Sequence, residues 1–234
     1  MTFADEQYPA LPYPGARPPC SFVHEDATGH PLRADHSALS GWRLAAGADL
    51  DDWLADRDAA PLADRVALLC YGSNACPSKL TWLRDTLGMP GPAVLLRARC
   101  TGLAAVWAAG LRVVDDQRPA TLAAMPDVSE HHAVWLATPS QLAVLDRCEG
   151  RAGVAGNRYR LAYVTTGDVR LEDGTHVEAP LAYVANERSD SARTVRYPLL
   201  VEGRPVRCAS VPQAAAAALT GEPAAGDGLA LRVV

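Results

Sequence analysis

Apolar positions along this chain recur at two spacings. Val66-Ala67-Leu68-Leu69-Cys70-Tyr71 is an unbroken apolar run of strand length that stops at Gly72-Ser73-Asn74, the pattern of a buried strand closed by a turn. Just beyond it, Leu80, Leu83 and Leu87 recur at helical spacing between Pro77 and Gly88, which predicts a helix with Trp82 beside its apolar stripe. Shorter apolar runs predict strands over residues 93–96, 102–107, 133–137, 159–165 and 181–184, with a turn at Glu172-Asp173-Gly174. A second helix is marked at both ends. Thr138 caps its first turn, Pro139 suits the first helical position, Gln141 closes a capping box and Gly150 offers a left-handed stop. The sum is mostly β with a few packed helices, an α+β chain.

That second helix carries the most informative residue. At about 100° per residue, Leu142, Leu145 and Glu149 share one stripe while Ala143 and Arg147 point away. Glu149 is thus a carboxylate on an apolar face. It is either a surface partner of Arg147 or Arg151, or an acid/base group, since carboxylates are seldom buried without a reason.

The flanks read differently. Pro9, Pro12, Pro14, Pro18 and Pro19 exclude helix from residues 8–19 and predict an extended arm lying on the surface. Residues 49–54, with Trp53, read as a short amphipathic helix within a segment, 37–65, suited to a lid or added flank, and the alanine run 214–218 as another short helix. The predicted division is an arm and helical flank over 1–65 and a core domain over 66–234.

Composition narrows the function. With 49% hydrophobic and 21% charged residues in 234, the chain can bury a large core. A net charge of −5, with arginines scattered rather than striped, gives no footprint for nucleic acid or an anionic membrane surface. The acidic start lacks a signal peptide's apolar core and no run reaches transmembrane length, so a cytoplasmic protein is expected. Cys20, Cys70, Cys76, Cys100, Cys148 and Cys208 form no C-x-x-C pair, against a disulfide framework or zinc knuckle. His131 and His132 are adjacent on a predicted strand, hence on opposite faces, and no metal or other cofactor is expected. Ser73 and Cys70 have no local histidine to activate them as nucleophiles, and Trp82, Trp107 and Trp135 read as core.

The strand and turn ending in Tyr71-Gly72-Ser73-Asn74, followed downstream by Leu145-Asp146-Arg147-Cys148-Glu149-Gly150, resemble the γ-glutamyl cyclotransferase-like family. That family joins a Y-G-S-N turn to a later L-D-x-x-E-G segment whose glutamate is the acid/base residue. The resemblance covers about residues 68–197 and implies a small mixed β-barrel with flanking helices. It further implies that Leu68, Leu69, Cys70, Tyr71, Gly72, Ser73 and Asn74 line a substrate pocket, that Glu149 is catalytic and that Tyr197 contacts substrate. The implied partner is a small γ-glutamyl amide, cleaved by its own α-amine to 5-oxoproline and a free amine. Arg158 and Arg160 are candidates for a substrate carboxylate, with ordinary solvent-facing arginines as the alternative, and the long stretch 151–156 suggests a modified pocket rim. A γ-glutamyl amide hydrolase and a non-catalytic binding module on the same fold are the alternative functions. The leaving amine and the oligomeric state are left open by these patterns.

Overall fold

The computed structural model describes residues 1–151, 158–186 and 195–234. In chain order its first half comprises β1 (Phe3–Ala4), β2 (Phe22–Glu25), β3 (Thr28–Ala34), β4 (Trp42–Leu44), α1 (Leu50–Ala55), β5 (Val66–Cys70), α2 (Pro77–Leu87) and β6 (Ala93–Trp107). There follow β7 (Ala120–Ala137), α3 (Pro139–Cys148), β8 (Tyr159–Val164), β9 (Asp168–Leu171), β10 (Leu181–Ala185), β11 (Leu199–Val201), β12 (Arg204–Pro205), α4 (Gln213–Ala218), β13 (Glu222–Pro223) and β14 (Leu231–Val233).

Eleven strands form one sheet in the order β1-β3-β2-β6-β7-β5-β10-β8-β14, with β4 added on β3 and β9 on β6. Pairing is antiparallel except between β5 and β10, which run parallel. The α+β class agrees with the sequence pattern, but the closed barrel does not follow. Among the described residues β1 pairs only with β3 and β14 only with β8, so the strand path has two ends. The residues before Val66 belong to this same sheet, because β2 pairs with β6, Phe22 opposite Leu95.

Both sheet faces are covered, which explains the unbroken apolar run of β5. Leu68 and Cys70 join one cluster with Leu80 and Leu83 of α2 and Val144 and Leu145 of α3. Leu69 and Tyr71 join the other with Trp53 of α1, Trp42 and Tyr13. A strand packed on both sides needs no polar alternation. Leu80, Leu83 and Leu145 are fully buried, and truncating any of them to alanine should cost about 2–5 kcal/mol.

The predicted helix ends are present. Gln141 N–H donates to Thr138 Oγ1 and Thr138 N–H to Gln141 Oε1, both at 3.2 Å, completing the capping box of α3. The predicted strands 93–96 and 102–107 are parts of β6, continuous through a register shift where Gly102 takes φ +80°. A bulge lets one long strand bend without breaking its ladder. No helix among the described residues is long and apolar enough to cross a membrane.

Candidate functional site

Where β5 ends, the chain turns through Gly72 into a single 3-10 turn, Ser73–Ala75, and then into α2. The N–H groups of Gly72, Ser73 and Asn74 take no partner among the described residues, so the turn presents donors. The proline-rich arm fastens this turn from outside. Arg17 Nη1 donates to the Tyr71 carbonyl at 3.1 Å, and Ser78 Oγ lies 2.8 and 3.0 Å from the carbonyl oxygens of Tyr8 and Asp5.

Glu149 is the C-terminal cap of α3, with its N–H donating to the Leu145 carbonyl at 2.8 Å. Gly150 then takes φ +74° and ends the helix; a side chain there would also meet Arg158, whose Nε lies 2.8 Å from the position of a Cβ. Glu149 is half-buried, and Asn74 Nδ2 donates to its Oε1 at 3.0 Å. The two motifs therefore touch. Asn74 Oδ1 is buried and takes no partner among the described residues, so a neutral amide orients the carboxylate with its own oxygen unmatched.

Between these segments lies a cavity of about 480 Å³, of the size that holds small-molecule ligands. It is lined by Leu69, Cys70, Tyr71, Gly72, Ser73, Asn74 and Glu149, but not by Leu68 or Tyr197. Leu68 points into the cluster under α2 and α3, because neighbours on a strand face opposite ways. Tyr197 is half-buried and its carbonyl accepts from Ala109 N–H at 2.9 Å, which leaves Val195 and Arg196 to reach the cavity from that segment. Of the two candidate arginines Arg158 lines the cavity and Arg160 does not. Most of the 151–156 stretch lies outside the described residues.

Four tyrosines build the walls: Tyr13, Tyr71, Tyr159 and Tyr183. Tyr71 Oη donates to the Tyr183 carbonyl, Tyr159 Oη to the Ala120 carbonyl at 3.1 Å and Tyr183 Oη to Asp146 Oδ1 at 2.9 Å. Burial pushes all four phenols above the ordinary range, Tyr13 to about 12, and the nearby Glu149 charge adds to the rise in each. These hydroxyls remain protonated at neutral pH. Burial likewise pushes the Cys70 thiol up to about 12, the opposite of an activated nucleophile.

Several lining residues escape the sequence patterns. Tyr13 sits within the proline-rich arm expected on the surface, yet it is buried against Trp107 and under the Arg112 guanidinium. Tyr159 and Tyr183 fall in strands; a polar-tipped aromatic in a buried strand is the one signal that marks them. Trp107 and Trp135 are core as expected, but Trp82 is 43% exposed and rims the cavity, with Lys79 Nζ 3.6 Å from its ring centre. It lies beside the Leu80 and Leu83 stripe rather than on it. Lys79, Arg147 and Arg158 line the cavity without a carboxylate partner among the described residues. His132 is buried beside Glu130 and His131 faces outward, and no group of three or more His, Cys, Asp or Glu side chains is placed to hold a metal among the described residues.

No protein-family model and no curated protein matches this chain. Among solved structures, a gamma-glutamyl cyclotransferase aligns at 18% identity and a TM-score of 0.39 over 51% of this chain and 65% of its own. In fold, the chain is similar to gamma-glutamyl cyclotransferase. An uncharacterized protein from Homo sapiens aligns at 18% identity and a TM-score of 0.41, over 53% of this chain and 68% of the other. YkqA from Bacillus subtilis aligns at 15% identity and a TM-score of 0.37, over 75% and 60%. The chain spans slightly less than two thirds of that cyclotransferase's length.

Proposed function

We propose that the protein is a γ-glutamyl cyclotransferase, cleaving a γ-glutamyl amide by attack of the substrate's own α-amine and releasing 5-oxoproline and a free amine. The observation that carries this reading is the Asn74–Glu149 contact at the wall of the cavity. It supports a carboxylate oriented toward a ligand, with no activated nucleophile nearby. Cyclisation needs no protein nucleophile and no metal. An intramolecular attack in the right conformer has an effective molarity of roughly 10⁵–10⁸ M, so the protein mainly has to hold that conformer and move one proton.

The residues divide that work. The α-ammonium first loses one proton to solvent; Glu149 takes a second from the nitrogen as it bonds to the γ-carbon and gives it to the leaving nitrogen, while Asn74 Nδ2 holds the carboxylate in place. The N–H groups of Gly72 and Ser73 face the oxygen that becomes negative. Lys79, Arg147 and Arg158 at the wall favour a leaving amine that carries negative charge over a polyamine.

The test is a panel of γ-glutamyl amino acids, peptides and amines, with product identification in ¹⁸O-labelled water. Unlabelled 5-oxoproline is the expected product. Free glutamate carrying solvent oxygen would identify a hydrolase, and no turnover across the panel would favour a binding module.

A further inference from the structure

We propose that Tyr13, carried to the cavity by the proline-rich arm, is a further catalytic residue whose hydroxyl donates a hydrogen bond to the oxygen that becomes negative during cyclisation. The inference rests on the cyclotransferase reading. It concerns a residue outside the segment that resembles the family, and it follows from where the phenol protons go.

Tyr71, Tyr159 and Tyr183 each spend their proton on a protein acceptor. Tyr13 does the reverse. The Ala120 N–H donates to Tyr13 Oη at 3.1 Å, and the phenol's own proton has no acceptor among the described residues. A hydroxyl can both donate and accept, and only the accepting side of Tyr13 is used here. A ligand oxygen in the cavity provides an acceptor. The direction fits, because a Cβ built on Gly72 would lie 3.4 Å from Tyr13 Oη, so the hydroxyl faces the glycine of the donor turn.

The ring is held in place. Trp107 lies 6.3 Å away centre to centre, the Arg112 guanidinium sits 4.7 Å above it, and Tyr13 N–H donates to Gln117 Oε1 at 3.2 Å. A donor fixed before the reaction does not have to reorganise during it, which is the condition for strong oxyanion stabilisation. With its pKa near 12 the phenol stays a donor throughout the neutral range.

In the step itself the α-amine nitrogen bonds to the γ-carbon, and the carbonyl π pair moves onto oxygen. Tyr13 O–H and the Gly72 and Ser73 N–H groups hydrogen-bond that oxygen. The carbonyl then re-forms as the original C–N bond breaks, and the leaving nitrogen receives the proton Glu149 took from the amine. Tyr13 keeps its own proton throughout.

Tyr13→Phe retains the ring and removes the donor. Its kcat and KM on the best panel substrate, its thermal melt and its affinity for 5-oxoproline by calorimetry are compared with wild type. Expected are a kcat lower by about 10²-fold with KM changed by less than about threefold, and 5-oxoproline bound about tenfold more weakly. A kcat within about twofold of wild type would overturn the proposal while leaving the cyclotransferase reading intact. If wild type yields no 5-oxoproline from any substrate, the cyclotransferase reading fails and the proposal, which rests on it, is overturned with it. Should the phenylalanine variant not fold, 3-fluorotyrosine at position 13 keeps the shape with a more acidic phenol. The alkaline limb of kcat should then move to lower pH, and an unmoved limb would overturn the proposal.

Discussion

Two carboxylates in this molecule sit near arginines, yet their surroundings differ. Glu130, on β7, is buried with its bonding capacity filled: Arg207 Nε and Nη2 donate to Oε1 at 2.9 and 2.7 Å, and Ala105 N–H donates to Oε2 at 3.0 Å. His132 Nε2 lies 3.2 Å from Oε2. Burial alone would raise the Glu130 pKa, but the nearby His132 ring and the bonds from Ala105 N–H and Arg207 outweigh it and hold the group at about 2. Among the described residues Glu149 receives one side-chain hydrogen bond, from a neutral amide, and it faces a cavity. A carboxylate saturated with donors is committed to holding elements together. One with a single orienting bond can still exchange a proton. Burial by itself therefore does not separate the two; the number of donors already spent on each does.

The sharpest way to break this contrast is to neutralise each carboxylate. Glu149→Gln keeps the shape and an acceptor for Asn74, so the melting temperature should stay within about 2 °C. The rate of 5-oxoproline formation should fall by about 10²–10⁴-fold. A variant that retained its rate would remove Glu149 from the mechanism. Glu130→Ala should do the opposite. It strands the Arg207 charge and the Ala105 N–H, a loss of about 3–5 kcal/mol, so the melting temperature should drop by roughly 10 °C. The rate per folded molecule should change little. Calorimetry and assay of the same two samples suffice, and a large change in rate for Glu130→Ala would show that the two regions are coupled.

The sequence made one of these regions legible and hid the other. Glu149 stands out because its helix is locally coded: a capping box, a proline at the first position, a glycine stop and an apolar stripe place it without reference to the rest of the fold. The Tyr71 turn is similarly marked by the end of an apolar strand. Glu130 carries no such mark, since its partners Ala105 and Arg207 come from distant segments brought together by sheet pairing. Tyr13 was obscured for the same reason. Proline density excludes helix from the arm, but only long-range bonds, from Arg17 to Tyr71, from Tyr13 N–H to Gln117 and from Ala120 N–H to Tyr13, show that the arm packs against the cavity. Strand existence was readable from apolar runs, whereas the open strand order depends on which edges find partners, and no single segment encodes that.

Acid tests the Glu130 side of the comparison directly. Glu130 has a folded pKa near 2 against an ordinary 4.5, so between those values the unfolded chain binds the extra proton. Its contribution to stability is fully present above about pH 4.5 and disappears as pH falls toward 2. Unfolding free energies by denaturant titration at several acidic pH values should show that slope, and in Glu130→Ala the slope should be shallower by this one group's share. An unchanged slope would mean that other carboxylates carry the acid sensitivity.

The smallest effect concerns the cations around each site. Arg207 is bound to Glu130, whereas Lys79 and Arg147 contact a ring and a carbonyl rather than a carboxylate among the described residues. If they are reserved for substrate, Lys79→Ala and Arg147→Ala should each raise KM by about 2–5-fold for γ-glutamyl substrates whose leaving amine bears a carboxylate, as expected of exposed charge pairs. Neutral leaving amines should show no such rise, and kcat and the melting temperature should hold. The KM effect should shrink in added salt, since exposed pairs are screened within about 8 Å at physiological ionic strength. An equal rise for charged and neutral substrates would assign these side chains to shaping the mouth and not to reading charge.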